Sequence, residues 1–233
     1  MIRLLSAGLE AVARQDSDAA RLLEGRFDRV AALLTSYIEE IERFNPLYSL
    51  VGAKDRRELV IRHILDSLAP AGCLVRLLDQ NAGTAPGPAG PPRIADVGSG
   101  AGLPGIPLAI ALPEARFTLI ERMGRRAGFL RNALAVLALE NAAVEEGMME
   151  QAPPERFDLV VFRAFRPLEK PVVKGLLRLL RDGGRLAAYK GRRELIEAEM
   201  KAAGAPAGTW EAVPYPAPFL NEERHLVKIT ADI

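Results

Sequence analysis

Asp96-Val97-Gly98-Ser99-Gly100-Ala101-Gly102-Leu103-Pro104-Gly105-Ile106-Pro107 decides how the rest of this chain is read. An apolar strand, Arg93 to Val97, runs into three alternating glycines, and a helical pattern follows. Glycine lets the backbone turn sharply and approach a ligand closely, because no Cβ intervenes. A helix starting there aims its free N–H groups at the same spot. The stretch predicts a nucleotide-like cofactor at the carboxyl end of the first sheet strand.

Downstream, strands and helices alternate. Strands are expected near 93–97, 116–121, 142–145, 157–163, 185–189, 209–213 and 224–231, and helices near 104–112, 124–139, 168–181 and 192–202. This alternation predicts an α/β fold with a mostly parallel seven-stranded sheet covered on both faces. The last two strands have no long helix between them, so they are expected to form an antiparallel edge pair. Upstream, the Gly- and Pro-rich stretch 81–92 reads as a linker. Before it the pattern is helical. Phe27, Val30, Leu34, Tyr37, Ile38 and Ile41 form one apolar stripe, and Pro46 is expected to stop that helix. Asp55 with Glu58 reads as a capping box opening a second helix that ends by Pro70. The expected organisation is a helical amino-terminal cap over 1–80, a linker over 81–92 and a core over 93–233.

Bulk properties narrow the function classes. The 233 residues are 49% hydrophobic and 26% charged, enough for a large core, and the net charge is only +1. Any contact with nucleic acid must therefore come from a local basic patch. One cysteine, Cys73, provides no disulfide framework and fits a reducing cytoplasm. No signal peptide and no apolar run of the ~20 residues needed to cross a membrane is apparent. Nothing in the sequence calls for a metal.

Gly100, Gly102 and Gly105 fit G-x-G-x-x-G, with Glu121 about 20 residues on, as in a dinucleotide site. Three details favour a cofactor without phosphates. The phasing is D-x-G-x-G-x-G, Asp96 sits unfavourably for a pyrophosphate, and Pro104 removes an N–H that a phosphate would use. S-adenosylmethionine fits better. Its sulfonium, ammonium and ribose diol suit carboxylates at Asp96 and Glu121; a solvated charge capping the next helix is the lesser reading of Glu121.

Absences narrow the methyl acceptor. Carbon methylation of a pyrimidine needs a nucleophilic cysteine in the core, and Cys73 lies in the helical block. The fourth strand is followed by Phe162-Arg163-Ala164-Phe165-Arg166-Pro167, without the Asn/Asp-Pro-Pro-aromatic tetrapeptide common in exocyclic amine methylation. A 2′-hydroxyl acceptor wants a Lys/Asp/Lys/Glu set, to which Lys190 could belong but whose other members have no evident place. A ring nitrogen with a free lone pair needs none of these and can attack the methyl carbon in line. Alignment and proximity would then supply roughly 7–11 kcal/mol. Basic residues follow the second strand (Arg122, Arg125, Arg126, Arg131), the fourth (Arg163, Arg166) and the fifth (Lys190, Arg192, Arg193). All three groups belong at the carboxyl edge, where they could form a phosphate-binding rim. Individually, Arg125, Arg126 and Arg131 read as solvated charges. Arg163, at the mouth of a buried strand, needs a partner. His63 and His225 read as packed, hydrogen-bonded histidines, and Asp66 as structural, within helical reach of His63.

Arg62-His63-Ile64-Leu65-Asp66-Ser67-Leu68, the glycine turn through Pro107, Arg163-Ala164, Lys190-Gly191 and Glu223-Arg224-His225-Leu226-Val227 occur in this order. Together, over roughly residues 37–231, they resemble the bacterial small-subunit ribosomal RNA guanine-N7 methyltransferases, also called glucose-inhibited division protein B. The resemblance implies a class I, Rossmann-like methyltransferase fold with a helical cap. It implies transfer of methyl from S-adenosylmethionine to N7 of one guanine in 16S ribosomal RNA of the small subunit, by a protein expected to be cytoplasmic and monomeric. Cofactor contacts would fall on Asp96, Gly98, Gly100, Leu103, Glu121 and Arg163, with adenine against Met148 and Met149. A one-residue slip would make that pair Met149 and Glu150. Arg163, Lys190 and Arg224 are the candidate catalytic residues, orienting the RNA. The chain departs from the family where Phe44-Asn45-Pro46-Leu47-Tyr48-Ser49-Leu50-Val51 replaces Trp-Asn-x-x-Tyr-Asn-Leu-Thr, and where Gly147-Met148-Met149-Glu150 replaces an Arg-Ala-Glu-like stretch. Two rival readings remain: an NAD-dependent oxidoreductase, and a non-catalytic RNA-binding protein that keeps the cofactor pocket.

Overall fold

The computed structural model describes residues 2–81 and 90–230. Most of the expected linker, 82–89, lies outside the described residues. Six amino-terminal α-helices come first: α1 (Ile2–Ala13), α2 (Ser17–Leu23), α3 (Phe27–Tyr48), α4 (Arg56–Leu59), α5 (Asp66–Leu68) and α6 (Ala71–Asn81). A π-helical segment (Val60–Leu65) joins α4 to α5. The strands are β1 (Arg93–Val97), β2 (Arg116–Glu121), β3 (Ala142–Glu146), β4 (Phe157–Arg163), β5 (Leu180–Lys190), β6 (Trp210–Pro214) and β7 (His225–Ile229). Between them lie α7 (Gly105–Ala111), α8 (Gly124–Val136), α9 (Lys170–Leu177) and α10 (Arg193–Ala202).

The strands form one sheet in the order β3-β2-β1-β4-β5-β7-β6. All neighbours are parallel except β7, which is antiparallel to both β5 and β6. Both faces are covered, which is why the inner strands read as apolar runs. Successive residues alternate between two cores. Ile94, Leu119, Leu159 and Val161 face one, while Ala95, Ile120, Val160 and Phe162 face the other. The first core also takes in Leu9, Leu34, Tyr37, Ile41 and Leu65, so the amino-terminal helices share an interior with the sheet. Tyr37 is fully buried, and its hydroxyl donates to the Ala101 carbonyl at 2.5 Å, tying α3 to the glycine turn.

Several element ends differ from expectation. α3 runs past Pro46 to Tyr48. A proline so near the end removes only one terminal bond. The helix stops instead at Ser49, which is left-handed at φ 49°, and Asn45 exchanges two side-chain hydrogen bonds with the Val51 backbone, at 2.9 and 3.1 Å. The helix expected over 168–181 is only Lys170–Leu177, because Leu180 already pairs with Phe157 of β4. β5 therefore begins earlier than 185 and absorbs a register shift around the glycine pair 183–184. α8 ends at Val136, short of 139, and Ala138 turns left-handed at φ 49°. β7 starts at His225, leaving Arg224 just outside it. The capping box is displaced by one residue. Asp55 accepts from the Glu58 N–H at 2.7 Å, but Glu58 reaches back to the N–H of Lys54.

Two glycines separate the local demands of the fold. A Cβ at Gly105 would lie 2.6 Å from Asp96 Oδ2 and 2.9 Å from Asp96 Cβ, whereas at Gly128, inside α8, nothing lies within 4 Å. Gly105→Ala should therefore destabilise by about 1–3 kcal/mol through overpacking. Gly128→Ala should stabilise by about 0.5–1 kcal/mol through helix propensity. Urea unfolding of the two variants checks both signs.

Candidate cofactor and acceptor groove

The chain leaves β1 for β2 and β3 on one side and returns to β4 on the other. Such a reversal opens a crevice at the carboxyl ends of the strands, and the glycine turn crosses it. Gly98, Gly100 and Gly102 have φ +69°, +60° and +92°. Side chains are strained in this left-handed region, so the turn presents bare backbone. Two carboxylates shape it. Asp96, fully buried beneath, accepts from Ser99 Oγ at 2.6 Å and from the Gly105 N–H at 2.9 Å through Oδ2. Its Oδ1 is buried without a hydrogen-bond partner among the described residues. Burial pushes the Asp96 carboxyl up to about 6. Glu121, at the end of β2, accepts from the Gly100 N–H at 2.9 Å and from the Met123 N–H at 2.8 Å.

Two clefts of about 250 and 570 Å3 flank the turn and share Gly98, Arg126 and Ala164, so the groove consists of two adjoining clefts. The first is lined by Glu121, Met123, Met148, Met149, Phe165 and Arg166. Met148 is half exposed and Met149 buried. The second is lined by Leu103, His63, Asp66, Arg163, Lys190 and Arg224. A slot floored by Met148, Met149 and Phe165 and ending in Glu121 therefore adjoins a cation-walled chamber.

The chamber wall hangs on Asp66, whose side chain is 5% exposed. Arg163 Nη1 lies 3.3 Å from Oδ2, Arg224 Nε lies 3.2 Å from Oδ1, and the Tyr215 hydroxyl donates to Oδ1 at 3.2 Å. Arg163 also donates to the Arg62 carbonyl at 3.2 Å and reaches His63 Nδ1 at 3.3 Å. A guanidinium only donates, so Nδ1 accepts and neutral His63 carries its proton on Nε2. Burial, with Arg163 beside it, lowers the His63 pKa to about 4. Lys190 pairs with Glu199 at 2.7 Å. His225 is packed as expected, donating from Nδ1 to the Gly191 carbonyl at 2.8 Å.

The structure brings Gly98, Gly100, Leu103, Glu121, Met148, Met149, Arg163, Lys190 and Arg224 to this groove. Glu150, the alternative to Met148, also lines it and pairs with Arg166 at 2.8 Å. Asp96 lines neither cleft and acts on the groove through the turn it holds. The expected Asp66–His63 partnership is replaced by separate bonds from each to Arg163. Arg131 pairs with Glu146 and Arg125 is exposed, as solvated charges do. Arg126 corrects that reading. It lines both clefts, its Nε is buried without a hydrogen-bond partner among the described residues, and its Nη2 lies 3.5 Å from the Ser49 carbonyl. Tyr215 and Phe165 carried no sequence signal of their own. Among the described residues no group of metal-ligating side chains assembles, and no helix is long and apolar enough to cross a membrane.

The GidB family model, described as rRNA small subunit methyltransferase G, matches residues 31–227. This chain belongs to that family. A ribosomal RNA small subunit methyltransferase G of Treponema pallidum is 42% identical over 204 residues, 86% of this chain and 85% of the relative. One from Xanthomonas campestris is 40% identical over 206 residues, covering 87% of each chain. Among solved structures, a putative O-methyltransferase from Klebsiella pneumoniae superposes with a TM-score of 0.56 at 17% identity, over 85% of this chain and 89% of its own. A precorrin-6y C5,15-methyltransferase from Geobacter metallireducens gives 0.50 at 13%, over 78% and 94%. These two likenesses concern the fold, which is that of the class I methyltransferases. Family membership favours neither the NAD-dependent oxidoreductase nor the non-catalytic reading.

Asp96 gives the groove a pH signature. Its carboxyl titrates near 3.8 when unfolded and near 6 when folded. The folded state thus holds the proton longer, and this contribution to stability is full below about 4 and lost as pH rises through about 6. Wild type should lose about 1–3 kcal/mol relative to Asp96→Asn across that window. Paired denaturant titrations at pH 4 and pH 7 check it.

Proposed function

We propose that this chain transfers the methyl group of S-adenosylmethionine to N7 of a guanine in 16S ribosomal RNA of the small subunit. The observation that carries the reading is the adjacency of the two clefts: a bare glycine turn lies between a methionine-lined, carboxylate-ended slot and an arginine-walled chamber. The residues fit the cofactor chemically. Glu121 sits where a ribose diol can donate to it, Met148 and Met149 offer a flat apolar seat for adenine, and the unpartnered Oδ1 of Asp96 places negative charge under a cationic centre. When bound, S-adenosylmethionine supplies an electrophilic methyl group on a sulfonium.

The chain's own task is alignment. Gly98, Gly100 and Leu103 offer close backbone approach, and Arg163 lines the chamber, held by Asp66 and His63. Arg224 and Lys190 face the acceptor side and suit phosphate or base edges of RNA. Guanine N7 already has a free lone pair, so no general base is required, in keeping with a neutral His63. We assign the transferase core to 93–233 and the helical cap over 1–80 to the acceptor wall, to which it contributes Arg62, His63 and Asp66.

Incubation with methyl-labelled S-adenosylmethionine and unmodified 16S ribosomal RNA or small subunits, followed by digestion, should place the label in 7-methylguanosine. Label in another nucleoside would overturn the acceptor. Gly98→Val should lower cofactor affinity by about 100-fold or more, since the backbone is left-handed and a Cβ there meets the Phe165 ring; calorimetric titration reads it. Arg224→Ala should slow RNA methylation about tenfold, the worth of one charged hydrogen bond, with cofactor affinity retained.

A further inference from the structure

At the mouth of the acceptor chamber stands a carboxylate that the methyl-transfer reading leaves unused. Arg62, from the π-helical segment, and Arg224, from the loop before β7, both bind one carboxylate, Glu222. Arg62 engages it in a fork, with Nη1 3.0 Å from Oε2 and Nη2 on Oε1. Arg224 Nη2 lies 3.2 Å from the same Oε2. Each guanidinium also has a second carboxylate of its own. Arg62 Nε lies 3.2 Å from Glu58 Oε1, and Arg224 Nε lies 3.2 Å from Asp66 Oδ1.

The three carboxylates differ in exposure. The side chains of Asp66 and Glu58 are 5% and 24% exposed, that of Glu222 is 45%. Asp66 and Glu58 hold the arginines in place, and Glu222, at the rim, costs least to move. A carboxylate forked on a guanidinium occupies the geometry that two oxygens of a phosphodiester would take. An exposed ion pair of this kind contributes little to stability, so its loss is a small barrier to exchange.

We propose that Arg62 and Arg224 form a phosphodiester site for the RNA substrate, and that Glu222 occupies it as an exchangeable carboxylate until RNA displaces it. This rests on the RNA-methyltransferase reading and adds the place of one backbone phosphate. Glu222 thereby lowers the attraction of the empty chamber for other polyanions. A correct RNA, held also by its base in the groove, displaces it.

The test compares wild type, Glu222→Gln, Arg62→Gln and the double variant. It measures binding of unmodified 16S ribosomal RNA at several salt concentrations, binding of S-adenosylmethionine, and methyl transfer. Glu222→Gln should bind RNA about three- to tenfold more tightly near 0.1 M salt, with a log–log salt slope steeper by about one. Arg62→Gln should weaken binding and cancel the gain in the double variant. The proposal is overturned if Glu222→Gln binds RNA no more tightly at any salt, or if its gain survives Arg62→Gln. A gain for S-adenosylmethionine instead of RNA also overturns it, because the pair would then serve the cofactor's carboxylate. A wild-type protein that puts no methyl on ribosomal RNA overturns the function itself, a result distinct from methylation with no effect at Glu222.

Discussion

A buried carboxylate flanked by two guanidinium groups and a phenol is the constraint on which the acceptor side depends. Asp66 comes from the helical cap, Arg163 from the end of β4, and Arg224 and Tyr215 from the segment leading into β7. A lone charge at that depth would be costly, so each partner is needed where it stands. Removing one guanidinium leaves Asp66 with a single counter-charge at that depth. The wall is thus assembled by folding, before any substrate arrives, which is what catalysis by alignment requires.

The cofactor side is organised by a parallel device. Asp96 and Glu121 both spend carboxylate oxygens on backbone N–H groups, of Gly105 and Gly100 respectively. These bonds fix a turn whose left-handed glycines would otherwise be its loosest part. Tyr37 adds a third tether, from the cap to Ala101. The cap braces both sides, through Tyr37 at the turn and Asp66 at the wall.

Much of this was legible in the sequence, for a local reason. A strand followed by glycines at alternate positions determines its own geometry, and the period of the apolar residues located the seven strands. Element ends were harder. Pro46 sits where a helix can tolerate it, and the apolar run around Leu179 and Leu180 suits helix and strand alike until its pairing with Phe157 is known. The acceptor wall was least legible, because its bonds join residues far apart. Asp66 and Tyr215 are separated by 149 positions, and Asp66 and Arg163 by 97. Arg126 resembles its neighbours Arg122 and Arg125 in sequence, and only packing against Ser49 and the glycine turn sets it apart.

β7 enters the sheet between β5 and β6, and the residues just before it complete the chamber. During synthesis, β5 must wait as an open edge while about 35 further residues emerge, at roughly 5–20 residues per second. Until then Asp66 lacks Arg224 and Tyr215, and Arg62 lacks Glu222. The glycine turn and its carboxylates are already made by that stage. A nascent chain would therefore contain every residue of the glycine turn seconds before it contained those that complete the chamber wall.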